Sequence, residues 1–188
     1  MAFRTLLPLF DQLEGERVLI RPYRLDDADA LYEAIAESRD HLRPWLPFAD
    51  ETEDEARDYL VRAEARWLLR EGFDTGIWSR ETGRFLGSIG AHPRDWDVPS
   101  FEIGYWLRAS AEGQGYLTEA GRMLTAYLFT HLGANRLEIR CDARNIRSAN
   151  AARRLGFVQE AHMRNQRISH EGKLRDTLVF SMIPADRQ

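Results

Sequence analysis

The sequence has little of three features that mark particular classes of protein. Cysteine occurs once, at Cys141, and a single thiol forms neither an internal disulfide nor a cysteine-rich metal site. No apolar run approaches the roughly 20 residues of a membrane-spanning helix. Met1 to Arg4 lack the apolar stretch and cleavage site of a secretion signal. These absences favour a cytoplasmic protein without a membrane partner.

Lysine is also scarce, because Lys173 is the only lysine among the 26 basic residues. The 30 acidic residues outnumber the basic ones, and the formal net charge is -4. Domains that bind nucleic acid are usually basic, so we predict no nucleic-acid partner. We interpret most of the scattered arginines as exposed and ion-paired. The alternative is that some of them bind an anionic ligand through paired hydrogen bonds.

The remaining composition is that of one folded domain. The chain has 188 residues, of which 44% are hydrophobic and 30% are charged. This length fits a single domain, and we assign residues 1–188 to it. The five histidines show no metal-ligand spacing, so we predict no metal cofactor.

Periodicity and turn-forming residues predict alternating helices and strands. Asp26 and Asp27 place acidic groups at the start of a first helix. Thr52 and Glu55 form a capping-box pattern that opens a second helix, which ends near Gly72. Two further helices are predicted over about 116–132 and 148–155. The predicted strands are 17–23, 74–79, 84–91, 101–107, 136–142, and two that end the chain near 157–168 and 174–183 around a turn at His170 to Lys173.

This order of elements predicts an α/β domain with a mixed sheet and helices on its faces. The strand at 101–107, the helix at 116–132 and the strand at 136–142 form one βαβ unit. Its two strands should be parallel, with a right-handed crossover.

The segment between that strand and helix carries Gly113 and Gly115. Glycine permits a tight loop in which backbone N–H groups converge on an anion. The helix N-terminus adds unpaired donors, and Thr118 adds a hydroxyl. Alternatively, the glycines only satisfy a turn.

The type of phosphate ligand is partly constrained by the same segment. No Gly-Lys-Ser/Thr follows the glycines, so this is not a nucleoside-triphosphate P-loop. A dinucleotide site stays open as an alternative, since Glu138 and Asp142 lie at the distance of a ribose-binding acid. Against it, Thr118 replaces the third glycine, the loop begins five residues after the strand, and a second set of βα units is lacking.

Six sequence blocks together form a recognisable pattern, and they are 101–107 (FEIGYWL), 113–120 (GQGYLTEA), 142–148 (DARNIRS), 154–157 (RLGF), 172–176 (GKLRD) and 41–45 (HLRPW). They resemble the GCN5-related N-acetyltransferase family, and above all its branch that acetylates the N-termini of ribosomal proteins. The resemblance covers about residues 13–184. It implies the acyl-CoA N-acyltransferase fold, a single domain whose mixed, mostly antiparallel sheet has helices on both faces.

The resemblance implies acetyl-CoA as cosubstrate, and it implies positions for its parts. The diphosphate would lie on Gly113, Gln114, Gly115, Tyr116, Leu117 and Thr118, and the pantetheine arm would contact Tyr105, Trp106, Leu107, Asn145 and Ser148. The sequence departs from the family pattern at two loop positions. Glu112 and Leu117 stand where the family often has Gln or Arg and Gly or Ala.

The implied reaction is direct acetyl transfer to an amine, with no protein nucleophile. Glu102 and Glu138 are the candidate general bases, although each can equally be a cross-strand ion-pair partner. Ser148 is the candidate general acid, because Ala152 occupies the place of the family's frequent tyrosine. Asn145 and Ser148 can also cap the helix that follows.

The acceptor is the least readable part of the sequence. Arg43 and Trp45 are the candidate substrate residues, although a tryptophan is more often part of a core. A protein N-terminal amine, such as that of a ribosomal protein, is the first candidate, and a small amine is the second. A CoA-binding module without turnover is a further alternative, and the resemblance leaves a homodimer open.

Overall fold

Eight strands form one sheet in the computed structural model, which describes residues 4–169 and 172–187. Their order is β1-β2-β3-β4-β5-β6-β8-β7. In the described residues, β5 and β6 are the only parallel neighbours. The strands are β1 (Leu13–Glu14), β2 (Val18–Pro22), β3 (Phe73–Ser79), β4 (Phe85–Asp95), β5 (Ser100–Leu107), β6 (Arg136–Asp142), β7 (Val158–Ile168) and β8 (Leu174–Met182).

Four α-helices accompany the sheet in this part of the chain, and they are α1 (Ala28–Leu42), α2 (Glu53–Leu69), α3 (Tyr116–His131) and α4 (Ile146–Arg154). The predicted fold class is confirmed. A doubly wound dinucleotide fold is not supported, because such folds are built on a mostly parallel sheet. Within the described ranges, no helix combines the length and hydrophobicity of a membrane span.

The predicted elements all occur, with differences at their ends. The structure adds β1, a two-residue strand too short to show a period. β4 continues through Pro93 to Asp95, past the predicted end, by pairing with β5 across a register shift. The predicted turn at His170 and Glu171 lies outside the described residues, as do Met1 to Phe3.

The predicted cap of α2 is confirmed. The Thr52 hydroxyl accepts a hydrogen bond from the Glu55 N–H, and the Glu55 carboxylate accepts one from the Thr52 N–H at 2.7 Å. This pairing satisfies two of the N–H groups that a helix start leaves unpaired. The α2 helix packs beside α1 over one face of the sheet.

Helices cover both faces of the sheet, as predicted. On one face, α3 and α4 pack on buried strand residues that include Ile103 and Ile139. On the other face, α1 and α2 pack on Tyr23 and Phe85. Because side chains alternate along a strand, the neighbours of Ile103 and Ile139 project toward the α1 and α2 side.

The pairing between β5 and β6 is short. The strands pair from Ser100 with Arg136 to Glu102 with Glu138. β4 continues to pair with β5 as far as Leu107, and β8 continues to pair with β6 as far as Asp142. Beyond Glu102, β5 and β6 share no further pair in the described residues. A wedge therefore opens in the middle of the sheet.

Arg108 fixes the end of β5 to α1. Its side chain is only 2% exposed. Its Nη2 donates to Glu33 Oε1 at 2.7 Å, its Nε to Glu37 Oε2 at 3.0 Å, and its Nη1 to the Phe85 carbonyl at 3.1 Å. The bonds to Arg108 lower the pKa of Glu37 to about 2. A buried guanidinium with this many acceptors holds the chain that leads into residues 112–118, the glycine loop, which carries Gly113 and Gly115.

We expect Arg108→Ala to lower the free energy of unfolding by about 2–3 kcal/mol, because it removes a buried guanidinium that hydrogen-bonds to two carboxylates and a backbone carbonyl. Arg84→Ala is the matched control, since Arg84 binds the same Glu37 at 3.1 Å with a side chain that is 49% exposed. The control should change stability by less than about 1 kcal/mol. Urea unfolding measures both, and equal losses would contradict the anchoring role of Arg108.

The Glu37 ion pair also predicts a pH dependence of stability. The pKa of Glu37 is lowered from 4.5 to about 2, so the ion pair contributes fully to stability at a pH above the unfolded-state pKa of this carboxyl group. The contribution is lost as the pH falls through the folded-state pKa. Unfolding measured between about pH 5 and pH 2 should show a smaller loss for Glu37→Gln than for the wild type. Identical pH profiles would show that this carboxylate does not contribute.

Candidate active site

A cleft of about 1570 Å³ opens where β5 and β6 diverge. It is larger than the roughly 300–1000 Å³ of a typical small-molecule pocket, so it has room for two ligands. Its walls come from several parts of the chain. They are residues 16–17, residues 41–47 apart from Arg43, residues 102–107 of β5, the glycine loop at 112–118, the first half of α3, residues 139–142 of β6, Asn145 with α4, and residues 167–169 and 175–177 of the last two strands.

The glycine loop presents a row of free donors to this cleft. Gly113 and Gly115 have left-handed backbone conformations, with φ of 72° and 83°, which few other residues tolerate. The first backbone bond of α3 is from Glu119 N–H to the Gly115 carbonyl. In the described chain, the N–H groups from Gly113 to Thr118 therefore have no backbone acceptor. Such a helix start can bind phosphate.

Arg17 holds this loop in place. Its Nη1 donates to the Gln114 carbonyl at 2.9 Å, and its Nε donates to Glu119 Oε2 at 3.0 Å. Glu119 Oε1 also accepts from the Arg17 N–H at 2.7 Å, and the guanidinium lies over the Tyr116 ring. The loop is thus preformed, which reduces the entropy that a ligand must overcome on binding.

Two arginines add positive charge to the cleft. Arg122 lies one turn after Thr118 on α3, and Arg154 lies on α4; both line the cleft. Neither has a carboxylate or hydrogen-bond partner in the described part of the chain. The free donors of the preformed loop and the Arg122 guanidinium could together bind an anion.

Two hydroxyls meet at the wedge, from Tyr105 of β5 and from Ser148 near the start of α4. Asn145 Oδ1 accepts a hydrogen bond from the Ser148 N–H at 3.0 Å, so Asn145 does cap the helix. The Tyr105 hydroxyl donates to the Ser148 carbonyl at 3.0 Å and lies 3.2 Å from Ser148 Oγ. Burial raises the pKa of Tyr105 to about 12, and it also raises the pKa of the nearby Cys141 thiol. Both groups are therefore protonated at neutral pH.

The two candidate bases lie side by side but differ in surroundings. Glu102 lines the cleft and pairs with Arg94. Glu138 is not among the cleft residues, and its carboxylate binds Arg136 at 2.8 Å and lies 3.8 Å from Arg140 Nη1. The structure thus brings only Glu102 to the cleft surface.

Some of the other predicted site residues line the cleft, and some do not. Trp45 lines the cleft, whereas Arg43 lies outside it and binds Asp50 Oδ1 at 2.7 Å. Gln114 and Tyr116 contribute to the loop without lining the cleft. The remaining predicted cofactor residues are cleft residues, and they are Tyr105, Trp106, Leu107, Gly113, Gly115, Leu117, Thr118, Asn145 and Ser148.

Sequence reasoning missed a network at the cleft. Glu112 Oε1 lies 2.7 Å from His41 Nε2, and Glu112 Oε2 accepts from Arg147 Nη1 at 2.5 Å. Each residue belongs to or adjoins a different sequence block, and no spacing in the chain shows that they meet. Glu112 therefore links the glycine loop to α1 and α4.

No three His, Cys, Asp or Glu side chains within residues 4–169 and 172–187 are grouped so that they could hold a metal ion.

Comparison with known families gives one match that covers most of the chain. The model of the acetyltransferase (GNAT) domain matches residues 17–158. This range includes β5, the glycine loop, α3, β6 and α4. The matched segment therefore contains the wedge and most of the cleft that surrounds it.

Two Bacillus proteins are similar over nearly the full length. YdaF of Bacillus subtilis (strain 168), whose provisional name is that of a ribosomal N-acetyltransferase, is 30% identical over 90% of this chain and 92% of its own. The uncharacterized N-acetyltransferase p20 of Bacillus licheniformis is 30% identical over 92% of this chain and 96% of its own.

Solved structures share the fold. A crystal structure provisionally described as an acetyltransferase superposes with a TM-score of 0.86 at 28% identity, and it covers 94% of this chain and 98% of its own. RimL, a ribosomal L7/L12 alpha-N-protein acetyltransferase solved in complex with coenzyme A, has a TM-score of 0.84. RimL is 19% identical over 92% of this chain and 97% of its own, so this likeness concerns the fold alone.

Proposed function

This chain belongs to the GNAT acetyltransferase family, and from that premise we propose that it transfers an acetyl group from acetyl-CoA directly to a primary amine in the cytoplasm. The observation that carries the proposal is the wedge between β5 and β6 with a preformed anion site beside it. A protein N-terminal amine, such as that of a ribosomal protein, is the proposed acceptor. The provisional name of YdaF supports this acceptor class.

The residues of the cleft fit the parts of acetyl-CoA. The free N–H groups of the glycine loop and the Arg122 guanidinium suit its phosphates, since both are donors with positive character. Past Glu102, the edge of β5 that faces β6 has no strand partner in the described residues. The amides of an extended pantetheine arm can pair with such an edge as an added strand does. The predicted contacts of Tyr105, Trp106 and Leu107 are of this kind.

The substrate supplies an activated acyl group, and the cleft supplies the proton transfers. The amine nitrogen attacks the thioester carbonyl carbon, and the carbon–sulfur bond breaks. We assign Glu102 as the group that accepts the amine proton, directly or through a water molecule. Ser148, whose Oγ lies 3.2 Å from the Tyr105 hydroxyl, donates a proton to the departing thiolate and regains one from solvent, to which Glu102 releases the amine proton. These roles rest on position in the cleft.

Direct transfer also agrees with the state of the one cysteine. Burial raises the pKa of Cys141 above its ordinary value, and the thiolate is the nucleophilic form of cysteine. A protonated, buried thiol is a poor acyl carrier. We therefore propose a ternary complex of the protein, acetyl-CoA and the amine, for which the cleft has room.

The glycine loop predicts a specific loss of cofactor binding in Gly115→Ala. Alanine disfavours the left-handed conformation by about 1–2 kcal/mol, and its Cβ would lie 3.2 Å from Arg17 Nη2. The loop should shift, and calorimetry should show acetyl-CoA binding weakened roughly tenfold or more.

Gly83→Ala is the matched control for this measurement. Gly83 also has positive φ, at 68°, but it lies in the β3–β4 turn with nothing near its Cβ position. The control should lose stability without losing affinity for acetyl-CoA. Unchanged affinity in Gly115→Ala would refute the loop assignment, and no binding by the wild-type protein would refute the proposed function.

The two carboxylates predict different kinetic losses. Glu102→Gln should lower kcat roughly 100-fold, the ordinary contribution of a general base. Glu138→Gln should lower it less than about tenfold, because Glu138 lies outside the cleft. Thiol release from acetyl-CoA in the presence of an amine panel measures both variants. The reverse order of losses would assign the base to Glu138.

A further inference from the structure

Three arginines line the cleft on the side away from α3 and α4, and they are Arg140, Arg167 and Arg175. Arg140 lies between Ile139 and Cys141, whose side chains pack in the core with α3 and α4. Strand alternation therefore places Arg140 on the opposite face, with Glu102. Arg175 shares that face, because it lies two residues before Thr177, the β8 partner of Asp142.

Arg140 has a guanidinium without an adequate acceptor. Its Nε is buried and makes no hydrogen bond. Its Nη2 donates only to the thioether of Met163 at 3.4 Å, and its Nη1 lies 3.8 Å from Glu138 Oε2. The side chain is 22% exposed. A guanidinium that is mostly removed from water and has so few acceptors is costly, so an anion that enters the cleft would find unused donors on Arg140.

Arg175 is similarly under-bonded. Its side chain is 12% exposed, and its Nε is buried without a partner. Its Nη1 donates to Asp142 Oδ2 at 3.1 Å. Asp142 also accepts two bonds from the Arg144 guanidinium, at 3.0 and 3.1 Å. One carboxylate is therefore shared by two arginines, and positive charge remains.

Arg167 adds to the positive charge around Arg175. It lies directly opposite Arg175 in the antiparallel pairing of β7 with β8. Like charges at such a position repel each other and destabilise the pair. Arg167 has no carboxylate partner among the residues that the structure describes. The nearby Asp176 does not compensate, since it binds His162 Nε2 at 2.7 Å and the Asn165 N–H.

We propose that the amine acceptor carries a carboxylate close to its amine, and that Arg140 and Arg175, with Arg167 beside them, bind this carboxylate. The proposal rests on the proposed function, because it concerns the acceptor of the same cleft. Arg140 lies two residues past Glu138, the register partner of Glu102. That step along a strand is roughly 7 Å. An amine at Glu102 and a carboxylate at Arg140 therefore fit within one amino acid or two adjacent residues.

The carboxylate can belong to a free amino acid or to an acidic residue next to a peptide's N-terminus. Four probes distinguish these sources: alanine and alaninamide, which lacks the α-carboxylate, and two C-terminally amidated peptides that begin Ser-Glu-Glu and Ser-Gln-Gln. Their dissociation constants are measured by calorimetry with and without CoA, and their kcat and KM are measured with acetyl-CoA. The proteins are the wild type, Arg140→Gln, Arg175→Gln and the control Arg62→Gln, whose arginine pairs with Asp58 on the surface of α2.

We expect one acidic probe to bind roughly 10- to 100-fold more tightly than its amide, as for hydrogen bonds to charged groups. Arg140→Gln and Arg175→Gln should abolish this preference through KM, while the affinity for acetyl-CoA stays unchanged. Arg62→Gln should keep it. The tighter of the two acidic probes identifies the source of the carboxylate.

Equal binding of acid and amide by the wild type, or binding of neither acidic probe, would overturn the proposal. Binding of the acceptor probes is also measured without CoA. Failure of acetyl-CoA to bind would therefore refute the proposed function without deciding the carboxylate proposal. Thermal unfolding tests whether Arg140 has a purely structural role. Arg140→Gln removes an under-bonded guanidinium, so the melting temperature should stay equal or rise. A lower melting temperature with the acid preference intact would assign Arg140 to stability alone.

Discussion

The early end of the pairing between β5 and β6 is the constraint on which the site depends. Each strand keeps its other neighbour, β4 or β8, beyond the point where the two separate. The sheet therefore stays continuous while one strand edge is left without a partner. Unpaired backbone groups inside a fold need an acceptor or donor. An extended ligand with amide groups can supply both, and this need explains why a cleft lies at the centre of the sheet.

Two arginines on opposite sides of the wedge keep its surroundings rigid. Arg108 binds α1 to the end of β5 from one side, and Arg17 binds the glycine loop to the start of β2 from the other. Both bond to carboxylates and to backbone carbonyls, so each fixes a main-chain path. Much of the arginine excess thus has a structural role. Three arginines without such partners among the described residues, Arg122, Arg154 and Arg167, line the cleft, where ligand anions are expected.

The cleft has a proposed cosubstrate side and a proposed acceptor side, and these correspond to the two faces of the sheet. The glycine loop and α4 belong to the face that α3 and α4 cover, so the cosubstrate is proposed to enter there. Glu102 and Arg140 project to the other face, where α1 and the segment around Trp45 form a wall. Cofactor and acceptor would then meet in the wedge from opposite sides. This geometry suits direct transfer without a covalent intermediate on the protein.

Local features of this chain could be predicted from the sequence, and long-range contacts could not. The cap at Thr52, the helix start after Gly115 and the parallel β5–β6 pair follow from short-range rules. The sequence alone left Glu102 and Glu138 equivalent, because their difference depends on where the pairing of two strands ends. The contact of Glu112 with His41 depends on the packing of α1 against the loop, which no periodicity encodes. Arg43 was favoured by its place in a sequence block, but its partner Asp50 draws it away from the cleft.

The central claim is that acetyl-CoA binds in the wedge, along the free edge of β5 and on the glycine loop. Hydrogen–deuterium exchange of the whole chain, with and without acetyl-CoA, tests it most directly. The account predicts slower amide exchange in residues 103–107 and 113–118 and no change in the turn at 80–84 between β3 and β4. Binding that leaves both segments unprotected, or that protects a different part of the sheet, would contradict it.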